Sequence, residues 1–451
     1  MKDQHLTRRA FLAATTTTAL AATFPIRVNA AEVVPGKKSP NEKLNVAAIG
    51  AGGKGQSDIM SCSRTENIVA LCDADWDRAQ ETFYRLKDAK QFKDYREMLE
   101  KMPEIDACTI STPDHTHAPA AYMAMKLGKH VYVQKPLTHT VMEARLLRKT
   151  AKEMGVATQM GNQGHCGDGA RDLCEMVWSG AIGQVKEAHI WTNRPVWPQG
   201  IAQPLPKMDI PATMDWDLWI GTAPMRDYNK DYCPFNWRGW WDYGCGALGD
   251  MACHIMDPAF WALNLKDAAS YSVECIQQDG KNDQTAPNSS IIKYSFPARG
   301  DMAPVDVFWY DGGILPKRPE AIPADQKLGD GDNGSLFVGD KGFLTAGEYG
   351  GKARLMPDAV MTDYKKPAQT IKRIEKESPY IDWLQACKGG EAAASNFEYS
   401  GPFTEMVVFG NLSLRTSVKV EWDALKGEMT NAPEWKHLLT KQYRAGWELP
   451  V

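Results

Sequence analysis

Short apolar runs alternate with longer amphipathic stretches in the first part of the chain. Residues 45–49, 68–72 and 107–111 are mostly apolar, and two similar runs follow at 130–133 and 156–160. Each run has the length of a buried strand, and the stretches between them are long enough for helices. The pattern therefore predicts alternating β and α elements around a doubly wound parallel sheet.

Beyond residue 165 the pattern changes to longer strands and loops with few crossover helices. This arrangement is typical of a large, predominantly antiparallel open sheet with helices on one face. A chain of 451 residues is also too long for one ordinary core. We therefore predict an α/β domain over residues 44–163 and an α+β substrate and oligomerisation domain over residues 164–451.

The N-terminus has the pattern of an export signal. Arg8 and Arg9 precede an apolar stretch rich in alanine and threonine that ends at Ala30. We predict a twin-arginine signal peptide over residues 1–30 and a flexible linker over residues 31–43, with export to the periplasm or beyond. The apolar run at 10–24 falls short of the ~20 residues that cross a bilayer, so no stable membrane anchor is expected.

The composition of the chain excludes several classes of partner and of structural cross-link. The chain has 52 basic and 56 acidic residues and a formal net charge of −4, which argues against nucleic acid as a partner. Hydrophobic residues make up 43% of the chain, as in globular proteins. The ten cysteines form no C-x-x-C pair, so neither a disulfide framework nor a zinc site is predicted, although one periplasmic disulfide stays open.

A glycine motif follows the first predicted strand and leads into a predicted helix. Gly50, Gly52 and Gly55 have G-x-G-x-x-G spacing, and Gly53 is a further glycine within the motif. Such glycines permit a tight turn, close approach of a pyrophosphate and tight packing of helix on strand. The helix N-terminus supplies free N–H groups to the phosphates. The motif predicts a Rossmann domain that binds a dinucleotide.

Asp73 ends the second predicted strand, about twenty residues after the glycines. A carboxylate there accepts hydrogen bonds from the adenosine ribose and repels a 2′-phosphate, which favours NAD over NADP. Arg78 would favour NADP instead if its side chain binds a 2′-phosphate. In the alternative without a cofactor, the glycines form an ordinary strand-to-helix turn and Asp73 caps a helix.

Four motifs in this order resemble the glucose-fructose oxidoreductase / inositol dehydrogenase family, called Gfo/Idh/MocA. They are the glycine loop, residues 112–117 (TPDHTH), the Gln134-Lys135-Pro136 triplet, and Gly249-Asp250 followed by His254 and Asp257. The resemblance implies NAD(P)-dependent oxidation of a sugar, polyol or glycoside. It also implies cofactor contacts from the following residues: Thr112, Pro113, His117, Gln134 and Lys135. The family pattern is Glu-Lys-Pro, so Gln134 departs from it and removes a carboxylate beside the lysine.

The resemblance assigns catalysis to Lys135, Asp250 and His254. Asp250 and His254 are four residues apart, so on a helix they share one face. Asp250 is expected to hold the imidazole or to bind a neighbouring substrate hydroxyl, and both residues are expected to contact substrate. His254 is the predicted general base, and Lys135 is expected to stabilise developing alkoxide charge. A helix-capping aspartate with a core histidine is one alternative. A metal site with Asp257 is another, and we predict no metal.

Substrate contacts are expected from a loop and from a tryptophan cluster. Asn162, Gln163 and His165 follow a predicted strand and carry groups that pair with sugar hydroxyls, although they could equally close a glycine turn. Eight of the fifteen tryptophans fall between residues 190 and 262. Most are expected in the core or in subunit contacts, and the candidates for stacking on a sugar ring are Trp237, Trp240 and Trp241.

The leading hypothesis is hydride transfer from a carbohydrate hydroxyl to a tightly bound NAD, within a homodimer or homotetramer. A glycoside hydrolase or lyase that uses transient oxidation, elimination and re-reduction is the first alternative. A sugar-binding protein that has lost its chemistry is the second. The substrate is a small-molecule carbohydrate in all three.

Overall fold

Six parallel strands form the sheet of the N-terminal domain. The computed structural model describes Ser39 and residues 41–451, so the predicted signal peptide and most of the predicted linker lie outside the described residues. The strands are β1 Asn45–Ile49, β2 Asn67–Cys72, β3 Lys90–Phe92, β4 Ala107–Ile110, β5 His130–Val133 and β6 Thr158–Met160. Their order across the sheet is β3-β2-β1-β4-β5-β6, which confirms the predicted doubly wound fold.

Helices connect these strands and cover both faces of the sheet. They are α1 Lys54–Cys62, α2 Trp76–Arg85, α3 Tyr95–Lys101, α4 Asp114–Lys126 and α5 Val141–Met154. The sequence specifies several starts directly: the Asp75 side chain accepts a hydrogen bond from the Arg78 N–H, and Thr140 forms a capping box with Glu143. The central strands β1 and β4 are apolar and buried, as strands covered on both faces must be.

Nine strands form the sheet of the second domain. They are β7 Val185–Trp191, β8 Ser270–Asp279, β9 Ser289–Phe296, β10 Val305–Tyr310, β11 Gly334–Gly339, β12 Phe343–Ala346, β13 Arg354–Met356, β14 Val420–Asp423 and β15 Glu428–Met429. Their order is β13-β12-β11-β7-β10-β9-β8-β14-β15. Only β7 and β10 pair in parallel, so the predicted, predominantly antiparallel sheet is confirmed. Burial alternates along β9, because one face of this sheet lies on the core.

One long helix joins the two sheets. The helices of this part of the chain are α6 Asp168–Trp178, α7 Trp216–Ile220, α8 Gly246–Ile255, α9 Asp257–Ala262, α10 Pro379–Cys387 and α11 Phe397–Thr416. Helix α11 packs against α5, α8 and β8. The residues just before and at its start hydrogen bond to β6, through Met160 N to Ser395 O at 2.9 Å and Phe397 N to Thr158 Oγ1 at 3.0 Å. Helix α8 is therefore held against the carboxyl edge of the first sheet.

Two stretches with little regular secondary structure also pack near the carboxyl edge of the first sheet. The crossing segment, residues 192–243, leaves β7 and pairs with the chain after β2: Asp215 N donates to Ala74 O at 2.8 Å and Trp76 N to Thr213 O at 3.2 Å. The C-terminal tail, residues 440–451, returns to α5, where Lys441 forms an ion pair with Glu143. Among the described residues no helix has the length and apolar character to cross a membrane.

Candidate active site

The glycine loop at the end of β1 is built as the motif predicts. Gly50 has φ +80° and its N–H donates to Cys72 O at 2.8 Å. A β-carbon on Gly52 would lie 2.6 Å from Arg78 O, and one on Gly55 would lie 1.8 Å from Gly50 O. The turn and the contact of α1 with β1 therefore require glycine. Gly53 and Lys54 line the cleft at the N-terminus of α1, where backbone N–H groups can bind a phosphate.

Asp73 lies beside this loop at the end of β2. Its Oδ2 accepts hydrogen bonds from Ala51 N at 2.8 Å and Gly52 N at 2.9 Å, and Oδ1 accepts one from Asp75 N at 3.0 Å. Burial raises the pKa of this carboxyl, and the three N–H donors oppose that shift. A carboxylate has further lone pairs, so Asp73 holds the loop and can still accept from a ribose hydroxyl.

The catalytic residues predicted from distant parts of the chain meet at one end of the same cleft. Lys135 Nζ donates to Asp250 Oδ1 at 2.8 Å and to Asp250 O at 2.6 Å. Arg238 Nε also donates to Asp250 Oδ1, at 3.1 Å. Burial alone would raise the pKa of Asp250, but the two cations prevail and lower it to about 2. Asp250 is thus a permanent anion between Lys135 and Arg238.

His254 lies one turn after Asp250 on α8 and lines the cleft. Its Nδ1 is buried and has no hydrogen-bond partner among the described residues, while its ring meets that of Tyr349 edge-on at 5.0 Å. Burial and the charge of Lys135 lower the pKa of His254 to about 3, and Asp250 only partly opposes them. The imidazole is therefore neutral at neutral pH, with a pKa far below the unperturbed value assumed from the sequence.

Twelve of the predicted site residues line this cleft. They are Gly50, Gly52, Gly53, Asp73, Thr112, Pro113, Gln134, Lys135, Gln163, Trp237, Asp250 and His254. Two of them, Thr112 and Gln163, carry a buried side-chain oxygen without a partner among the described residues. Such groups can bind a cofactor or a substrate hydroxyl.

Other predicted residues lie behind the cleft. His117 has its two ring nitrogens 2.8 Å from Thr112 O and from Pro136 O, so it ties together the two loops that line the cofactor side. His165 is buried and lies 2.9 Å from Asp257, with its ring stacked on Trp261. Its predicted contact with substrate remains a prediction that the lining of the cleft does not support.

Asn162, Trp240 and Trp241 also lie outside the lining. Asn162 is buried, and neither end of its amide has a partner among the described residues. Trp240 is buried against Arg226, and Trp241 donates to Asn282 O at 3.3 Å. Of the three candidate stacking tryptophans, only Trp237 reaches the cleft.

Sequence reasoning overlooked several cleft residues. Arg238 lies 4.4 Å from the ring centroids of both Phe235 and Trp237 and joins the Lys135–Asp250 pair. Asp114, within the TPDHTH motif, accepts from Cys245 N at 3.1 Å, and burial raises its pKa to about 7. The motif was a usable signal for Asp114. No local pattern marks Arg238, because it lies in the irregular crossing segment.

Metal binding finds no support in the part of the chain that the structure describes, where no group of histidine, cysteine and carboxylate side chains could hold an ion. Asp257, the third residue of the alternative metal site, is engaged elsewhere. Its Oδ1 accepts from Tyr399 OH at 2.7 Å, and Oδ2 lies 2.9 Å from His165.

Two family models match the chain and together cover just over half of it. An oxidoreductase family model described as an NAD-binding Rossmann fold matches residues 44–162, and the C-terminal α/β domain model of the same family matches residues 181–298. The chain belongs to the Gfo/Idh/MocA oxidoreductase family. The predicted NAD-binding domain is confirmed by the first of these matches.

Curated relatives in the family differ in the reaction for which they are named. D-glucoside 3-dehydrogenase of Escherichia coli (strain K12) is 25% identical over 240 residues, which is 52% of this chain and 59% of the relative. Alpha-N-acetylgalactosaminidase of Shewanella oneidensis is 31% identical over 202 residues, which is 40% of this chain and 44% of the relative. The chain thus spans about half the length of the curated relatives it matches.

Solved structures match over most of the chain. The WlbA dehydrogenase of Chromobacterium violaceum, in complex with NADH and UDP-GlcNAcA, superposes with a TM-score of 0.61 at 14% identity. The match covers 86% of this chain and 98% of that structure. At this identity the likeness establishes the fold, and the two-sheet arrangement is therefore that of the family.

Proposed function

We propose that the protein oxidises a hydroxyl of a sugar, polyol or glycoside with NAD that stays bound. The observation that carries the proposal is the Lys135–Asp250 ion pair of 2.8 Å, placed with His254 in the cleft lined by the glycine loop. Relatives named as carbohydrate dehydrogenases support it. NAD supplies a hydride acceptor at its nicotinamide ring when bound.

The chain's own residues handle the proton and the developing charge. Lys135, held by Asp250, can donate a hydrogen bond to the oxygen of the reacting hydroxyl and stabilise it as it becomes an alkoxide. His254 is neutral, so its imidazole can accept the departing proton at neutral pH. Because its pKa is low, it holds that proton only weakly and must pass it on to solvent or to a neighbouring group.

Enclosure of the cleft supports a resident cofactor. The crossing segment contributes Met214, Leu218 and Trp219 to the lining, and the C-terminal tail contributes Trp447. Both stretches lie over the strand ends where a dinucleotide binds in this fold. A cofactor covered in this way is expected to leave slowly and to be restored within each catalytic cycle.

Two measurements test the proposal. Mass spectrometry of small molecules released by denaturing the purified protein should find NAD or NADH. Mixing the protein with a panel of free sugars and glycosides should then reduce the bound NAD, seen as the absorbance of reduced nicotinamide, and a keto-sugar should accumulate. A protein without nicotinamide that is not reduced by any member of the panel after loading with NAD would contradict the proposal.

A redox-neutral glycosidase is the second candidate, favoured by the match to alpha-N-acetylgalactosaminidase. In such a cycle the sugar would be oxidised, lose its aglycone by elimination, add water across the resulting double bond and be reduced again, so that the net reaction is hydrolysis. The Lys135–Asp250–His254 group can support the oxidation and re-reduction steps in either function. Cleavage of an aryl glycoside without added NAD, with no net reduction of the cofactor, would select the glycosidase.

We further propose that the protein is exported by the twin-arginine route and works as a homodimer or homotetramer. The paired Arg8 and Arg9 before an apolar stretch support export. The half-buried residues on the outer face of β9 and β10 support association between copies. Cell fractionation of the wild type against an Arg8→Lys, Arg9→Lys variant tests the first, and sedimentation tests the second.

A further inference from the structure

A buried carboxylate behind the cofactor loop is unused by the chemistry proposed above. Asp58 lies on α1 and is 0% exposed. It forms an ion pair with Lys54, and it accepts hydrogen bonds from Tyr380 OH at 2.7 Å, Ser111 Oγ at 2.7 Å and Gln134 Nε2 at 2.8 Å. The cluster thus joins the glycine-loop helix, the end of β4, the residue before Lys135 and helix α10.

The contact with Gln134 sets the orientation of its amide. An ionised carboxylate only accepts hydrogen bonds, so the NH₂ end of the amide must face Asp58. The amide also lies flat on Gly161, where a β-carbon would come within 2.8 Å of its Cδ, Nε2 and Oε1. The remaining atom, Oε1, has no hydrogen-bond partner among the described residues, and Gln134 lines the cleft.

We propose that Asp58 is a positioning residue that holds the Gln134 amide so that Oε1 accepts a hydrogen bond from the nicotinamide half of the dinucleotide. The donor is a ribose hydroxyl or the carboxamide NH₂. The proposal rests on the proposed function for the identity of this ligand. It also explains why glutamine replaces the glutamate of the family pattern: two carboxylates cannot share this contact unless one of them is protonated.

Exchanging the two groups tests this complementarity. In Gln134→Glu two carboxylates face each other, and they must share a proton for the contact to persist. The other ionisable groups that lie close to Asp58 are Lys54, Tyr380, Tyr132 and Cys62. Asp58→Asn combined with Gln134→Glu restores one amide and one carboxylate in reversed positions.

The experiment measures the dissociation constant of NADH for the full chain by calorimetry at pH 6 and pH 8, after the resident nucleotide has been removed. We expect Gln134→Glu to bind NADH about tenfold to a hundredfold more weakly at pH 8 than the wild type, because repulsion from Asp58 turns the side chain at position 134 away from its hydrogen-bond donor on NADH. In this variant the affinity should be higher at pH 6 than at pH 8, because a lower pH favours one proton shared between the two carboxylates. The double variant should regain most of the lost affinity at pH 8 and lose the pH dependence.

A control separates this effect from general damage to the fold. Glu66 is also buried near α1, where it accepts from Leu44 N at 2.7 Å and pairs with Lys388, and it does not line the cleft. Glu66→Gln should lower the unfolding temperature without changing the NADH affinity. A merely structural role for Asp58 would give Asp58→Asn the same behaviour as this control.

Wild-type affinity for NADH in Gln134→Glu at pH 8, or a double variant no better than this single variant, would overturn the proposal. If neither variant folds, the NADH affinities of Gln134→Met and Tyr380→Phe are measured instead. An unchanged NADH affinity in both would also overturn the proposal. If the wild type takes up no NADH, the proposed function fails. The exchange then still tests the Asp58–Gln134 contact through the unfolding temperatures of the four proteins.

Discussion

Lys135 illustrates how the tertiary structure supplies what the local sequence lacks. The glutamine beside it removes a carboxylate, yet Asp250, 115 residues later, provides one at 2.8 Å. Arg238 shares that carboxylate, so the substrate end of the cleft holds two cations around one anion. An oxygen that gains negative charge during oxidation is stabilised in such surroundings.

Lys135→Met should lower the rate of reduction of bound NAD by carbohydrate by about 10²–10³-fold, because the hydrogen-bond donor that stabilises the developing alkoxide is lost. Stopped-flow absorbance of reduced nicotinamide measures this step. NADH binding should change little. Lys101→Met, an exposed lysine on α3, is the matched control and should behave like the wild type. Equal rates in both variants would remove Lys135 from the mechanism.

Asp311 carries a second prediction at the level of one residue. It is buried, with Oδ2 accepting from Ser290 Oγ and Trp309 Nε1, each at 2.9 Å, and its Oδ1 has no hydrogen-bond partner within the described part of the chain. Burial raises its pKa to about 7, and the bonds from Trp309 and Ser290 oppose the shift. A raised pKa means that the folded state keeps the proton to a higher pH than the unfolded chain does. Ionising the buried carboxyl therefore lowers the free energy of unfolding as pH rises above about 4, and the loss is complete above pH 7.

Asp311→Asn should therefore stabilise the protein relative to the wild type as pH rises from 5 to 8, by about 1–3 kcal/mol in the free energy of unfolding. Urea denaturation at both pH values measures the difference. Asp325→Asn, at an exposed position, should leave the pH dependence unchanged. An Asp311→Asn variant whose stability parallels that of the wild type at both pH values would show that this carboxyl ionises freely in the folded state.

At the scale of elements, the crossing segment and the C-terminal tail fasten each other over the cleft. Arg444 forms an ion pair with Asp217, and it donates through Nη2 to Asp217 O at 2.7 Å and through Nε to Gly221 O at 2.9 Å. Three residues later, the ring of Trp447 packs on the guanidinium of Arg96, whose Cζ lies 4.1 Å from the ring centroid. Bound dinucleotide is therefore expected to leave only when these contacts open.

Arg444→Ala should raise the dissociation rate of NADH about tenfold, equal to ~1.4 kcal/mol, while the hydride-transfer rate changes little. Displacement of bound NADH by excess NAD, followed by fluorescence, measures the rate. The control is Arg318→Ala, whose arginine donates to Pro323 O at 3.0 Å and does not line the cleft. An unchanged dissociation rate would mean that the tail is not part of the closure.

At the scale of the whole molecule, buried histidines govern stability in acid. Burial lowers the pKa of His115 and His254 to about 3 and that of His117 to about 4, and it places the pKa of His139 well below 6.5. The unfolded chain protonates these rings near pH 6.5, whereas the folded chain does not. Stability is therefore complete above pH 6.5 and falls as pH drops towards 4.

Each of these histidines should lower the free energy of unfolding by about 1.4 kcal/mol for every pH unit below 6.5. The free energy of unfolding should fall steeply between pH 6.5 and 5, because the four histidines outweigh the opposite effect of Asp114 and Asp311. His115→Gln should reduce the slope by about one proton, and the exposed His437→Gln should not alter it. A wild-type free energy that stays constant from pH 6.5 to 5 would contradict this expectation.

Local pattern was sufficient for the parts of the fold with strong periodicity or strict steric demands. The first five predicted strands matched buried strands because parallel strands covered on both faces are continuously apolar. The glycine loop was recognisable because no other residue fits at Gly50 or Gly55. Arg238 and the partner of Gln134 were not predictable, because their contacts join segments separated by long stretches of chain.

The sequence by itself determined the alternating architecture, the dinucleotide loop and the types of catalytic residue, since these follow from periodicity, backbone sterics and motif order within short windows. Only the tertiary structure decided which charges meet. Burial in the folded chain lowers the pKa of His254 to about 3. Packing of distant segments places His165 beside Asp257 and Asp58 beside Gln134. Dielectric surroundings and long-range contacts are properties of the folded chain, because they depend on residues that no local pattern brings together.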